Sequence, residues 1–124
     1  MMITGNRFLR GKEGENAAAD FLRGAGMKIL ERNFRCPPGE IDIIARDEKT
    51  IVFVEVRGRR SDGHGHPEES ITLSKRKRLT RAACWYLKQR GLAGSSARFD
   101  VIAIRWNGEE PELNWMVNAF EARF

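Results

Sequence analysis

The chain holds 124 residues, 41% hydrophobic and 31% charged, with 22 Lys and Arg against 17 Asp and Glu for a formal net charge of +5. This length predicts one domain, spanning residues 1–124, with a single core, and the composition excludes a disordered or membrane-embedded chain. Cys36 and Cys84 stand far apart and in no Cys-x-x-Cys pair, which excludes a disulfide framework and a zinc ribbon and fits a reducing cytoplasm.

The N-terminus, Met1-Met2-Ile3-Thr4, has no apolar stretch of signal-peptide length, a second pointer to the cytoplasm. A first helix is expected over 6–23, with Thr4 or Asn6 as its cap and Gly24 or Gly26 as its terminator. Glu15 shares a face of this helix with Gly11, Ala18, Ala19 and Leu22 and is therefore directed at the core. A glutamate in that position needs a partner, and an ion pair with Arg32 is one way to supply it. Residues 27–34 alternate as a strand, and Cys36-Pro37-Pro38-Gly39 is a turn because neither proline can donate to a sheet ladder.

Residues 41–46 and 51–57 read as a hairpin around Asp47-Glu48-Lys49-Thr50. A symmetric loop sets Arg46 against Ile51, which brings Asp42 opposite Glu55 and Ile44 opposite Phe53 on one face. Directly opposed like charges destabilise a sheet, so two carboxylates among Ile, Val and Phe need a compensating charge. A divalent cation bound by oxygen ligands supplies it. Arg57, projecting from the same face, supplies it equally well as an ion-pair partner at the sheet margin.

A Gly-rich loop over 58–67 carries His64 and His66, which lack a third ligand for a transition metal. The second helix is expected over 74–90, capped by Thr72 or Ser74 and closed by Gly91. Lys75, Arg76, Lys77 and Arg78 crowd its first turn, where the helix dipole already disfavours cations and favours a phosphate. Lys75 lies on the stripe of Leu79, Ala82 and Tyr86 and so leans toward the sheet. Residues 99–106 and 113–117 give two further strands, and 118–124 a short terminal helix. Asp100 is expected to pair with Arg98 or Arg105 in a structural role, and Trp85, Trp106 and Trp115 to pack in the core. The order αβββαββ implies an α/β domain with a mixed sheet flanked by helices.

Charge is not spread evenly. Residues 57–90 hold ten basic side chains against three acids, a net of +7, so the remainder is slightly acidic. Arg59, Arg60, Lys75, Arg76 and Arg78 form the expected nucleic-acid-binding set within this segment. A solvated helix face is the plainer explanation of the same run.

The strings Gly39-Glu40-Ile41-Asp42-Ile43-Ile44 and Val52-Phe53-Val54-Glu55-Val56-Arg57 resemble the paired strands of restriction-endonuclease-like nucleases, whose signature is an Asp followed after a gap by Glu-x-Lys. More closely, nearly the whole chain resembles the YraN-like family of small bacterial proteins. The matching features are Gly14-Glu15 with Ala18, Gly26 with Ile29, Leu30, Arg32 and Asn33, the two strands above, Ile71-Thr72 with Lys75, Arg98-Phe99-Asp100-Val101, and Asn118-Ala119-Phe120. The chain is also similar to archaeal-type Holliday junction resolvases, which carry an early helical Glu and an Arg before the Asp.

The resemblance implies a restriction-endonuclease-like fold and a magnesium-dependent phosphodiesterase site, with manganese as a substitute. It implies Glu15, Asp42 and Glu55 as metal-linked acids, the Val56 carbonyl as a further ligand, Arg32 on the backbone phosphate, and Glu40, immediately before the strand, as a supporting acid. Arg57 departs from the pattern where the superfamily has Lys. Arginine stays protonated and stabilises charge without taking a proton from water.

The leading expectation is a cytoplasmic, magnesium-dependent nuclease acting on branched or single-stranded DNA in repair or recombination, with Asp42, Glu55 and Arg57 as its catalytic residues. A weak or inactive nucleic-acid-binding module of the same fold is the rival that Arg57 favours. A structural protein whose basic helix meets an acidic protein surface is a third reading. No membrane partner is expected; a homodimer is left open.

Overall fold

In a computed structural model, which describes residues 3–58 and 71–123 with side chains from Gly11 onward, the chain forms α1 (Ile3–Gly24), β1 (Lys28–Cys36), β2 (Gly39–Asp47), β3 (Thr50–Gly58), α2 (Leu73–Gln89), β4 (Ala97–Asn107) and β5 (Glu110–Phe120). The order is αβββαββ, as the sequence predicts. Arg59, Arg60, His64 and His66 lie outside the described residues.

The five strands make one sheet in the order β1-β2-β3-β4-β5. Tight turns join β1 to β2, β2 to β3 and β4 to β5, so those neighbours are antiparallel. β3 and β4 run parallel, an arrangement that needs a long crossover, and α2 lies within that connection. Each helix covers one face. Ala18, Ala19 and Leu22 of α1 pack with Ile43, Ala45, Val52, Val54, Ile102 and Ile104. Leu79, Ala82, Ala83 and Tyr86 of α2 pack on the other face with Ile41, Ile44, Phe53, Phe99 and Phe120. Gly14 permits the close seating of α1: a Cβ there would stand 3.2 Å from Ile104 Cδ1.

Both helix ends follow from local chemistry. Gly26 adopts φ 94°, and Met27 N–H donates to Leu22 O while Gly26 N–H donates to Arg23 O, closing α1 with a Schellman motif. Gly91, at φ 68°, closes α2 in the same way through Leu92 N–H to Leu87 O and Gly91 N–H to Lys88 O. The Thr72 hydroxyl accepts from Lys75 N–H at 3.1 Å and caps the other end of α2.

Four expectations need correction. α1 begins at Ile3, so Thr4 and Asn6 lie inside the helix rather than capping it. The β2–β3 loop has two residues, since Asp47 and Thr50 already pair; Glu48 takes φ 55° to make that turn. Of the terminal helix expected over 118–124, the described residues 118–123 form none. β5 runs on to Phe120, because Asn118 N–H is held by the Asp100 carboxylate and Phe120 stacks on Phe99 at 4.8 Å between centroids. Trp85 is exposed rather than packed in the core, on the solvent side of α2.

Candidate functional site

The β2–β3 ladder runs from Asp47↔Thr50 to Ile43↔Val54, in the register expected from the hairpin, and its pairing stops there. At the next position Val56 N–H donates to the Asp42 carboxylate, Oδ2, at 2.9 Å. N–H and C=O of one strand residue project to the same side, so the Val56 carbonyl also faces the gap beyond the ladder. Ile44 pairs with Phe53 as expected, and Asp42 and Glu55 line the same depression, close enough for the Glu55 charge to act on Asp42.

A kink places Asp42. Strict alternation would send Ile41, Ile43 and Ala45 to one face, yet Ile41 joins the α2 side with Ile44 while Ile43 and Ala45 face α1. The alternation breaks at Asp42. Across the β1–β2 pair, between Arg32↔Ile43 and Phe34↔Ile41, sits Asn33 with φ 53°. Asparagine tolerates this left-handed conformation better than most residues. Asp42 consequently borders two depressions. One, of about 240 Å³ on the α2 side, also involves Glu55, Lys75 and Arg78. The other, of about 750 Å³ on the α1 side, involves Glu15, Arg32, Asn33 and Val56.

Charge compensation at the pair is uneven. The Glu55 side chain is 7% exposed; Lys75 Nζ stands 2.7 Å from its Oε2 and Arg57 Nη1 3.4 Å from the same oxygen. Lys75 reaches it because the Thr72 cap starts α2 there and the Leu79–Ala82–Tyr86 stripe turns that face to the sheet. Among the described residues no cation pairs with Asp42 in this way. Burial, then the negative charge of Glu55, raise its pKa from 3.8 to about 7; the Val56 N–H opposes the rise without cancelling it. Near neutrality the Asp42 carboxyl therefore exchanges its proton readily, and a cation stabilises the ionised form.

The remaining expected residues divide. Glu15 points inward, but its Oε1 accepts from Arg32 Nη2 at 3.1 Å and from Asn33 Nδ2 at 2.8 Å. Among the described residues no three His, Cys, Asp or Glu side chains gather closely enough for a metal ion, so Glu15 does not complete a three-acid cluster with Asp42 and Glu55. Asp42, Glu55 and the Val56 carbonyl would offer oxygen donors, the kind magnesium takes together with water and phosphate. Arg32 also bonds Asn16 Oδ1 at 2.6 Å, while its Nε is buried without an acceptor among the described residues. Glu40 lies within β2 rather than before it, pairs across the strands with Arg35 at 2.8 Å, and is largely exposed. Arg78 flanks the α2-side depression, whereas Arg76 turns away, lying over the Phe120 ring and donating to Ile71 O.

Asp100 takes the structural role expected of it. It is fully buried and accepts from Arg98, Trp115 Nε1 and Asn118 N–H. Arg105 pairs with Glu112 instead. Asn33, which the sequence reading gives only as part of the family resemblance and without a role, is a determinant of the site; an Asn inside a strand is the local signal for it.

This geometry lies wholly inside a region of recognisable kinship. Residues 14–104 match the model of the uncharacterised protein family UPF0102. The chain belongs to UPF0102. A UPF0102 protein of Syntrophotalea carbinolica is 46% identical over 119 residues, covering 96% of this chain and 97% of the relative. One from Moorella thermoacetica is 53% identical over 108 residues, covering 87% and 90%. One from Persephonella marina is 52% identical over 97 residues, covering 78% and 84%. The resemblance to the YraN-like family read from the sequence is thus borne out, and the UPF0102 match takes in Glu15, Asn33, Asp42, Glu55 and Lys75. No described helix of this UPF0102 protein is long and apolar enough to cross a membrane.

Proposed function

We propose that this UPF0102 protein is a magnesium-dependent nuclease that hydrolyses phosphodiesters in DNA, branched or single-stranded, in repair or recombination. The observation that carries this reading is the Asp42–Glu55 pair: two adjoining carboxyls at the end of a ladder, one of them without a cation partner among the described residues, beside Lys75, Arg57 and Arg78. Asp42, Glu55 and the Val56 carbonyl hold the cation, for which manganese substitutes. Bound there, it supplies a Lewis acid for the phosphodiester and a water of lowered pKa. Lys75 and Arg57 stabilise charge developing on the phosphate, and the amide-rich, cationic start of α2 orients it. Glu15 acts through Arg32, holding the guanidinium beside the site.

Purified protein is expected to cut single-stranded, flapped or four-way DNA when magnesium or manganese is added, and Asp42→Ala and Glu55→Ala each to abolish cutting. If both variants cut like the wild type, the activity is a contaminant and the reading fails.

Arg57, which cannot take a proton from water, favours a second reading: a non-catalytic nucleic-acid-binding module. That reading expects salt-sensitive DNA binding with no cleavage under any divalent cation. Cleavage confined to Arg57→Lys would support it.

A further inference from the structure

The two depressions that meet at Asp42 are both edged by cations. On the α2 side stand Lys75 and Arg78; on the α1 side stand Lys12, Arg32 and Arg35. None of the α1-side cations belongs to the basic segment that follows Glu55. The α1-side groove is the larger, at about 750 Å³ against 240 Å³, and has Val56 in its lining. Lys12 is exposed, and Arg35 is 80% exposed in a solvent-facing pair with Glu40, so both can be reached by an anion, while Glu15 of the same lining is taken up by Arg32. Asn16 and Asn33 add amide side chains to the same lining.

We infer that the α1-side groove is a second phosphate-binding arm, so that the site takes a continuous nucleic-acid strand lying across Asp42 from Lys75 and Arg78 to Lys12, Arg32 and Arg35. A site built for a strand terminus needs a wall beyond the terminal phosphate; here the far side of Asp42 opens into a larger, cation-edged groove. The substrate is then an internal segment of single-stranded nucleic acid, engaged on both sides of one central phosphate. This inference rests on the nucleic-acid reading above and adds to it the polarity-free, end-independent character of the substrate.

The test measures binding of a fluorescent oligo(dT) of about 30 nucleotides, long enough to span more than one such arm, by anisotropy at several salt concentrations without divalent metal. Lys12→Gln/Arg35→Gln neutralises two exposed side chains outside the carboxylate pair. Each single-strand phosphate contact contributes about 0.7 to the slope of log affinity against log salt, so this double variant is expected to lower the slope by about 1.4. Lys75→Gln/Arg78→Gln is expected to lower it comparably. Covalently closed single-stranded circles are expected to compete as well as linear strands of equal nucleotide content. An unchanged slope in Lys12→Gln/Arg35→Gln beside a reduced one in Lys75→Gln/Arg78→Gln overturns the second arm and leaves the nucleic-acid reading standing. Competition by linear strands alone also overturns it. Absence of wild-type binding at any salt overturns the nucleic-acid reading itself. Circular dichroism of both double variants is expected to match the wild type.

Discussion

Two carboxylates in this sheet, Asp100 and Asp42, meet opposite treatment. Asp100 is fully buried on β4, and four donors converge on it: Arg98 Nε at 3.0 Å and Nη2 at 3.3 Å, Trp115 Nε1 at 3.0 Å and Asn118 N–H at 2.8 Å. Asp42 on β2 receives the Val56 N–H and faces another carboxylate, with the nearest cations given to Glu55 instead. One acid is neutralised and tied into the fold; it joins β4 to the end of β5. The other is half-buried, bordered by open depressions, and held with a pKa of about 7. The difference separates a residue tied into the fold from one that no described cation neutralises and whose carboxyl is held protonated up to about pH 7. Burial alone does not distinguish the two; the partners that burial brings do.

The largest expected effect breaks the satisfied member. Asp100→Ala strands the Arg98 charge and the Trp115 and Asn118 donors, and urea unfolding is expected to show a loss of about 3–5 kcal/mol. Asp42→Asn is expected to do the reverse in metal-free protein near neutral pH, leaving stability unchanged or raised by about 1 kcal/mol as like-charge repulsion is relieved. A loss of stability in Asp42→Asn comparable to that in Asp100→Ala would erase the distinction.

A pH series sharpens it further. Folded Asp42 keeps its proton to about pH 7, whereas the unfolded chain loses it near 3.8. Across that window the folded state binds more protons, so this residue's contribution to stability is full at the acid end and is lost as pH rises through 7. The stability of wild type minus that of Asp42→Asn is therefore expected to fall from about pH 4 to 7 and then level off. Smaller again is Lys75→Ala: Lys75 is a third exposed, so removing the nearest cation from Glu55 is expected to cost about 1 kcal/mol in metal-free protein. Glu40→Gln touches only an exposed pair with Arg35 and is expected to stay within about 0.5 kcal/mol of wild type.

Much of this contrast was legible beforehand, for specific reasons. The hairpin register followed from alternation between two turns, and it brought Asp42 and Glu55 together. The stripe through Leu79, Ala82 and Tyr86 put Lys75 against the sheet. Thr72, Gly26 and Gly91 act at helix ends by chemistry confined to a few residues. What escaped depends on tertiary competition. That Glu15 accepts from Asn33 as well as Arg32 depends on the left-handed backbone of Asn33, which turns its amide to the same carboxylate. The strand end at 118–120 followed from Asp100 capturing Asn118 N–H across β4 and β5, a contact between residues 18 apart in sequence.

The most direct test is a calorimetric titration of magnesium into metal-free protein, from about pH 5 to 8, for wild type and Asp42→Asn. Binding at one site that strengthens up to about pH 7, as the Asp42 proton is displaced, and that is absent in Asp42→Asn, is the predicted result. No magnesium binding by the wild type at the alkaline end, or equal binding by Asp42→Asn, would contradict the assignment of the Asp42–Glu55 pair as a cation site.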